Sequence, residues 1–280
     1  MGYIDLHIHS NYSDGKESVE SIVNKAILNN TSVISFTEHY NISSLKVARH
    51  YASGKIEIIP GIEIGASLEK YGVSKRHVCH FTAYFVNRKI YEILDKYEIY
   101  RKKTFDKIIQ KLNTNGIYIT SGQVYRCVKK ESLGRYDIAY TLYKKGYAVS
   151  PANAYAKYLD KGMMAYVERK KMNPVELIET IRKCGGVPVL AHPNSLKFNI
   201  SDTEDFIKML SAKGLCGIEV YNPRNTDQKR EQYLDLCKKY HLITTVGSDF
   251  HSVKDGVEIG LGINGNLKIS ITHGVDGQEL

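Results

Sequence analysis

Residues Ile4 to Gly15, reading IDLHIHSNYSDG, constrain the chain more than any other stretch. Ile4, Leu6 and Ile8 alternate with Asp5, His7 and His9, and a period of two is the signature of a strand. The three polar side chains therefore share one face, and the three apolar ones enter a core. Two imidazoles side by side at a strand end form either a hydrogen-bonded couple or a metal chelate, whose neutral nitrogens bind zinc at about 2.0–2.1 Å. Beyond the strand, Asn11, Ser13, Asp14 and Gly15 are loop residues, and Asp14 adds a third candidate ligand.

The pattern recurs along the chain. Apolar runs predict strands over 33–36, 56–59, 77–85, 187–190, 217–220 and 243–246, with helices between most of them. Ser18 is placed to cap a helix through Asn29, and Asn173-Pro174 to open one through Cys184. Polar residues gather where the apolar runs end: Thr37-Glu38-His39, Gly61-Ile62-Glu63, His80, Ala191-His192-Pro193 and Ser248-Asp249-Phe250-His251. Parallel α/β folds carry their chemistry at the carboxyl ends of strands, and a barrel gathers those ends into one pit. His7, His9, Asp14, His39, Glu63, His80, His192, Asp249 and His251 are too many ligands for one ion. They suit two or three ions that share a bridging carboxylate.

No run of 18 apolar residues occurs in the 280, and the start lacks a signal-peptide hydrophobic segment, so the expectation is a cytoplasmic protein with no membrane span. The five cysteines, Cys79, Cys127, Cys184, Cys216 and Cys237, form no CxxC pair and read as reduced residues filling core or helix faces. Between Lys70 and Lys171 there are 22 Lys and Arg against 8 Asp and Glu, a surplus that exceeds the chain's net +9. A basic middle on an otherwise acidic chain suits either a polyanion surface or a lysine-rich solvated face.

That basic middle has no barrel-type strand after Ile119. It is helical in pattern, broken at Gly134, Gly146, Pro151 and Gly162, and rich in tyrosine. Three segments are expected: 1–115 and 172–280 forming one α/β body, and 116–171 inserted as a helical cap. The tyrosines serve either as stacking rings for a nucleotide or short strand, or as half-buried packing.

Taken together, HxH, Thr37-Glu38-His39, Gly61-Ile62-Glu63, Ala191-His192-Pro193 and Ser248 to His251 resemble the PHP family, the polymerase and histidinol phosphatase superfamily of metal-dependent phosphoesterases. The resemblance implies a distorted seven-stranded (β/α) barrel with a trinuclear site. His7, His9 and Asp249 would hold the first ion, Glu63 would bridge to a second held by His80 and His192, and Asp14, His39 and His251 would hold the third. His80 is preferred over His77 because it keeps the family's spacing to Tyr84-Phe85. Mixed imidazole and carboxylate ligands suit Mn, Zn or Fe better than Mg.

The stretch Arg101 to Gly162, with Leu133-Gly134-Arg135 and Ala165-Tyr166-Val167, and the run Gly217 to Pro223 are similar to a PHP branch that hydrolyses nucleoside 3′,5′-bisphosphates and short RNA from its 5′ end. Tyr136-Asp137 and Thr104 depart from that branch's pattern. The resemblance implies attack of a metal-generated hydroxide on phosphorus, with Arg101 and Arg135 as phosphate clamps. Histidinol phosphate is the alternative substrate, and a binding module without turnover is a third class. The sequence leaves the oligomeric state open.

Overall fold

We describe the protein from a computed structural model, over residues 2–69, 78–128, 133–168 and 171–270. Cα proximity separates two compact units, Met1–Ile90 with Lys171–Leu280, and Tyr91–Lys170.

In the first unit, among the described residues, seven strands form one sheet in chain order: β1 (Tyr3–Ile8), β2 (Thr31–Phe36), β3 (Glu57–Ser67), β4 (Val78–Tyr84), β5 (Val187–Leu190), β6 (Gly217–Tyr221) and β7 (Ile243–Val246). Neighbours pair in parallel except at β4, which is antiparallel to both β3 and β5. Only residues 68–77 join β3 to β4, and a parallel crossover needs a dozen or more, so the chain must reverse. β3 also runs well past Ile59 because its pairing with β4 continues to Ser67. Glu63 consequently lies within its strand, not beyond its end, and His80 lies within the strand predicted over 77–85; Glu63 stands opposite Thr82, and His80 opposite Gly65.

The segment after β7 returns to β1. Asp249 N donates to His7 O and His9 N donates to Phe250 O, each at 2.9 Å. The alternation in β1 is as predicted, but its polar face is the deeper one. Asp5, His7 and His9 are fully buried, while Ile4 and Leu6 are half-buried. A buried carboxylate needs donors, and Asp5 accepts from the backbone N–H groups of Ser248, Gly260 and His7 at 2.9, 2.9 and 3.3 Å.

Helices cover this sheet as the sequence predicts. The helix Val19–Leu28 opens on Ser18, whose Oγ accepts from Ser21 N, and buries Val19, Ile22, Val23 and Ala26 against Ile8, Ile34 and Phe250. The helix Pro174–Lys183 opens on a reciprocal capping box, with Asn173 Oδ1 accepting from Glu176 N and Glu176 Oε2 from Asn173 N, both at 3.1 Å. In the second unit, the helices Ile90–Thr114, Ser121–Val128 and Arg135–Lys144 pack Phe105, Ile108, Leu112, Val124, Ile138 and Leu142 into their own core. No helix among the described residues is long and apolar enough to cross a membrane. All five cysteines are free thiols.

Candidate metal centre

All nine expected ligands lie in the first unit, and Glu63 is the point where most of them meet. Its Oε1 is 3.0 Å from His192 Nε2, 3.3 Å from His80 Nδ1 and 3.5 Å from His7 Nε2. Its Oε2 is 3.1 Å from His39 Nδ1 and 3.2 Å from His9 Nε2. Asp249 Oδ1 lies 3.6 Å from the Nε2 atoms of both His7 and His9. Asp14 stands among the rest, its oxygens 3.4 Å from His251 Nε2, 3.5 Å from His39 Nε2 and 3.7 Å from His9 Nδ1. His77, the alternative to His80, lies outside the described residues.

The donor atoms fall into three groups, each within 4.8 Å: His7, His9 and Glu63; Glu63, His80 and His192; and His9, Asp14, His39 and His251. Ring nitrogens that face one another, such as the Nε2 atoms of His7 and His9 at 3.2 Å, cannot both be protonated comfortably. A shared cation relieves that conflict, so the donor chemistry fits divalent ions.

The electrostatics of the metal-free cluster point the same way. Burial would raise Glu63, yet His7, His39 and His192 hold it well below the ordinary carboxylate range. Burial pushes His80 down to about 3, which leaves a neutral ring able to ligate. Burial also pulls on His7, His192 and His251, but carboxylates outweigh it: Glu219 and Glu63 hold His7 well above its usual value, Glu63 raises His192, and Asp14 with Asp249 lifts His251 to about 9. In all three rings the neighbouring carboxylates favour the protonated form, and coordination requires the neutral one. Loading metal-free protein with Mn or Zn at pH 7 is therefore expected to release protons, and apparent affinity is expected to climb as pH rises toward 9. Calorimetry in buffers of different ionisation enthalpy measures this; a binding heat independent of buffer contradicts it.

Residues outside the expected set hold the cluster in place. Glu219, in β6 and 2% exposed, lies 3.2 Å from His7 Nδ1 and accepts from His192 N at 2.6 Å. Ser195 Oγ lies 3.0 Å from His192 Nδ1. Glu38 accepts from Ser10 N and from the hydroxyls of Ser10 and Ser13, which pins the loop bearing Asp14. Such partners fix the ring orientation and tautomer of ligating histidines. The sequence did contain a signal for Glu219: it is a lone carboxylate inside a short apolar strand, which burial must pair with something. Glu219→Gln is expected to weaken metal affinity by about 10- to 100-fold with the fold retained. Titration with a metal indicator beside a thermal melt checks it, and unchanged affinity would remove Glu219 from the centre.

His192 and Asp249 both take positive φ, +28° and +53°, a conformation uncommon for non-glycine residues and concentrated at functional sites. A cleft of about 340 Å³ opens over His39, Glu63, His80, His192, Asp249 and His251. Its other walls include Asn194, Asn222 and Arg224, the last with Nη1 3.3 Å from Asp249 Oδ2. Arg101 and Arg135 lie in the second unit. Arg101 Nε donates to Glu98 Oε2 at 2.7 Å; Arg135 donates to Val167 O and lies over the Tyr166 ring at 5.3 Å.

Comparison with known proteins places these observations in context. The PHP domain matches residues 5–254. The chain is 28% identical over 259 residues to a 5′-3′ exoribonuclease of Haemophilus influenzae, covering 91% of this chain and 92% of that one. It is 24% identical over 261 residues to a 3′,5′-nucleoside bisphosphate phosphatase of Chromobacterium violaceum, covering 91% and 90%. Among solved structures, an amidohydrolase from Chromobacterium violaceum with bound sulfate and no metal shares the fold with a TM-score of 0.73 at 23% identity, covering 92% of this chain and 90% of that one.

Proposed function

This chain belongs to the PHP domain family and is a metal-dependent phosphoesterase, from which we propose that its substrates are nucleotide esters: nucleoside 3′,5′-bisphosphates, short 5′-phosphorylated RNA, or both. The observation that carries this reading is the convergence of six imidazoles with Glu63, Asp14 and Asp249 beneath one cleft. The names of the two relatives at about 90% mutual coverage support the nucleotide class. We also read the sheet, whose first strand bonds the segment after its last, as the family's distorted barrel, and residues 116–171 as its helical insertion.

His7, His9 and Asp249 would hold one ion, Glu63, His80 and His192 a second, and Asp14, His39 and His251 a third. Divalent Mn, Zn or Fe, when bound, supplies Lewis acidity toward phosphate oxygens and a water of lowered pKa. The chain's own groups do the rest. With an ion bound, Glu219 would accept the Nδ1 hydrogen bond of His7 and leave Nε2 free to ligate beside Glu63 and His9. Ser195 orients His192 in the same way. Arg224, 48% exposed and facing the cleft, has donors to spare beyond its pair with Asp249 and can bind a phosphate oxygen as the ester enters.

The test is phosphate release by Mn-loaded protein from adenosine 3′,5′-bisphosphate and from histidinol phosphate, beside nucleotide release from a short 5′-phosphorylated RNA. Turnover of the bisphosphate or the RNA is the expected result. A preference for histidinol phosphate would overturn the nucleotide reading.

A further inference from the structure

The helix Arg135–Lys144 turns two unlike faces outward and inward. Inward it buries Ile138, Ala139 and Leu142. Outward, at helical spacing, stand Tyr136, 62% exposed, then Tyr140, then Tyr143, 36% exposed, and Lys144. Leaving Tyr136 and Tyr143 exposed and Tyr140 half-buried along one stripe forfeits burial that packing could supply, so a ligand that covers them is the physical alternative. Lys144 Nζ lies 5.5 Å from the Tyr140 ring centre and 5.7 Å from that of Tyr143, and the two rings are 6.3 Å apart at 60°. A cation is thus held against the faces of both rings.

The composition of the unit that carries this stripe selects the ligand class. Between Tyr91 and Lys170 there are sixteen Lys and Arg against eight Asp and Glu, nearly the whole net charge of the chain. A polyanion gains from that field, and among polyanions only one with unpaired bases also offers flat π faces to tyrosines. Residues one turn apart on a helix are separated by about 6 Å along its axis, a spacing that bases of an extended strand can follow and stacked bases of a duplex cannot.

We propose that Tyr136, Tyr140, Tyr143 and Lys144 form a stacking track for single-stranded RNA. The proposal rests on the nucleotide-ester reading and gives the second unit an RNA-contacting surface of its own. It assigns a task to tyrosines that the core of the second unit does not use. By contrast Tyr158 is buried, with its hydroxyl donating to Tyr147 O at 2.9 Å, and belongs to the packing.

The experiment measures fluorescence anisotropy of a labelled, phosphorothioate-linked ten-nucleotide oligoadenylate with the metal-loaded full chain, so that binding is read without turnover. The variant Tyr136→Ser/Tyr140→Ser/Tyr143→Ser is expected to bind at least about tenfold more weakly, with its melting temperature retained. The variant with Phe at the same three positions keeps the π faces and is expected to bind within about twofold of the wild type. Wild-type affinity in the Ser variant overturns the track. So does an equal loss in the Phe variant, which would trace the effect to hydroxyls, or an equal loss of binding to duplex RNA. A chain that binds the strand through these rings yet turns over no nucleotide ester would refute the reading of the cleft and leave the track standing.

Discussion

Glu63→Gln is expected to lower kcat/KM for any phosphoester substrate by at least about a thousandfold, roughly 4 kcal/mol of transition-state stabilisation. The carboxylate lies within 3.5 Å of five imidazoles, and no other side chain in the cluster faces so many. Glutamine keeps the shape but replaces one acceptor oxygen with an amide that donates, turned toward either His9 and His39 or His7, His80 and His192. Rings whose N–H groups donate to a common anion would then meet a donor, and a half-satisfied buried network is worse than none. The negative charge that would offset two cations also disappears. Metal content by mass spectrometry should therefore fall by at least one ion per chain, alongside the loss of rate. Wild-type metal content with wild-type rate would remove Glu63 from its bridging place and dissolve the three-group arrangement.

The same residue shows how far the sequence could be read. His7 and His9 were legible because alternation with Ile4, Leu6 and Ile8 fixes their common face whatever the rest of the chain does. Glu63 was legible as a strand-associated carboxylate, but its position inside β3 was not. That position depends on pairing with β4, and pairing is a long-range property that local periodicity does not encode. The reversal of β4 follows from the length of the connection at 68–77, yet only once β3 is known to extend to Ser67. The apolar run around Glu219 marks its carboxylate as one that burial must pair, but local pattern does not name the partner. Its role appears only when β1, β5 and β6 come together and put His7 Nδ1 and His192 N beside it. Arg224 was missed for the opposite reason: an arginine in a polar loop carries no pattern at all. Among the described residues of 91–170, the helices and the absence of strands matched the pattern, since helical periodicity is local.

Gly247→Ala is the second large effect, and it arises from a methyl group. A Cβ at Gly247 would stand 2.3 Å from His7 Cβ and 2.4 Å from Glu219 Oε1. Neither neighbour is a flexible tip. His7 Cβ is fixed to β1, whose carbonyl at His7 already accepts from Asp249 N. Glu219 is held by His7 Nδ1, His192 N and Asn222 Nδ2. Relief must therefore come from moving β1 away from β7 or from expelling the Glu219 carboxylate, and either motion disorders the ring that leads the cluster. Overpacking of this kind costs about 1–3 kcal/mol of stability, and a displaced orienting partner costs about 10- to 100-fold in metal affinity. Gly217→Ala separates the two effects. There the added Cβ meets Ile243 Cγ1 at 2.6 Å and Ile243 O at 2.8 Å, which is equally crowded but away from the imidazoles. Both variants should melt at lower temperature than the wild type. At a temperature where both are folded, Gly247→Ala should have lost metal affinity and most of its rate, and Gly217→Ala should keep both. If the two variants lose rate in proportion to stability alone, the close approach at Gly247 serves the fold and not the centre.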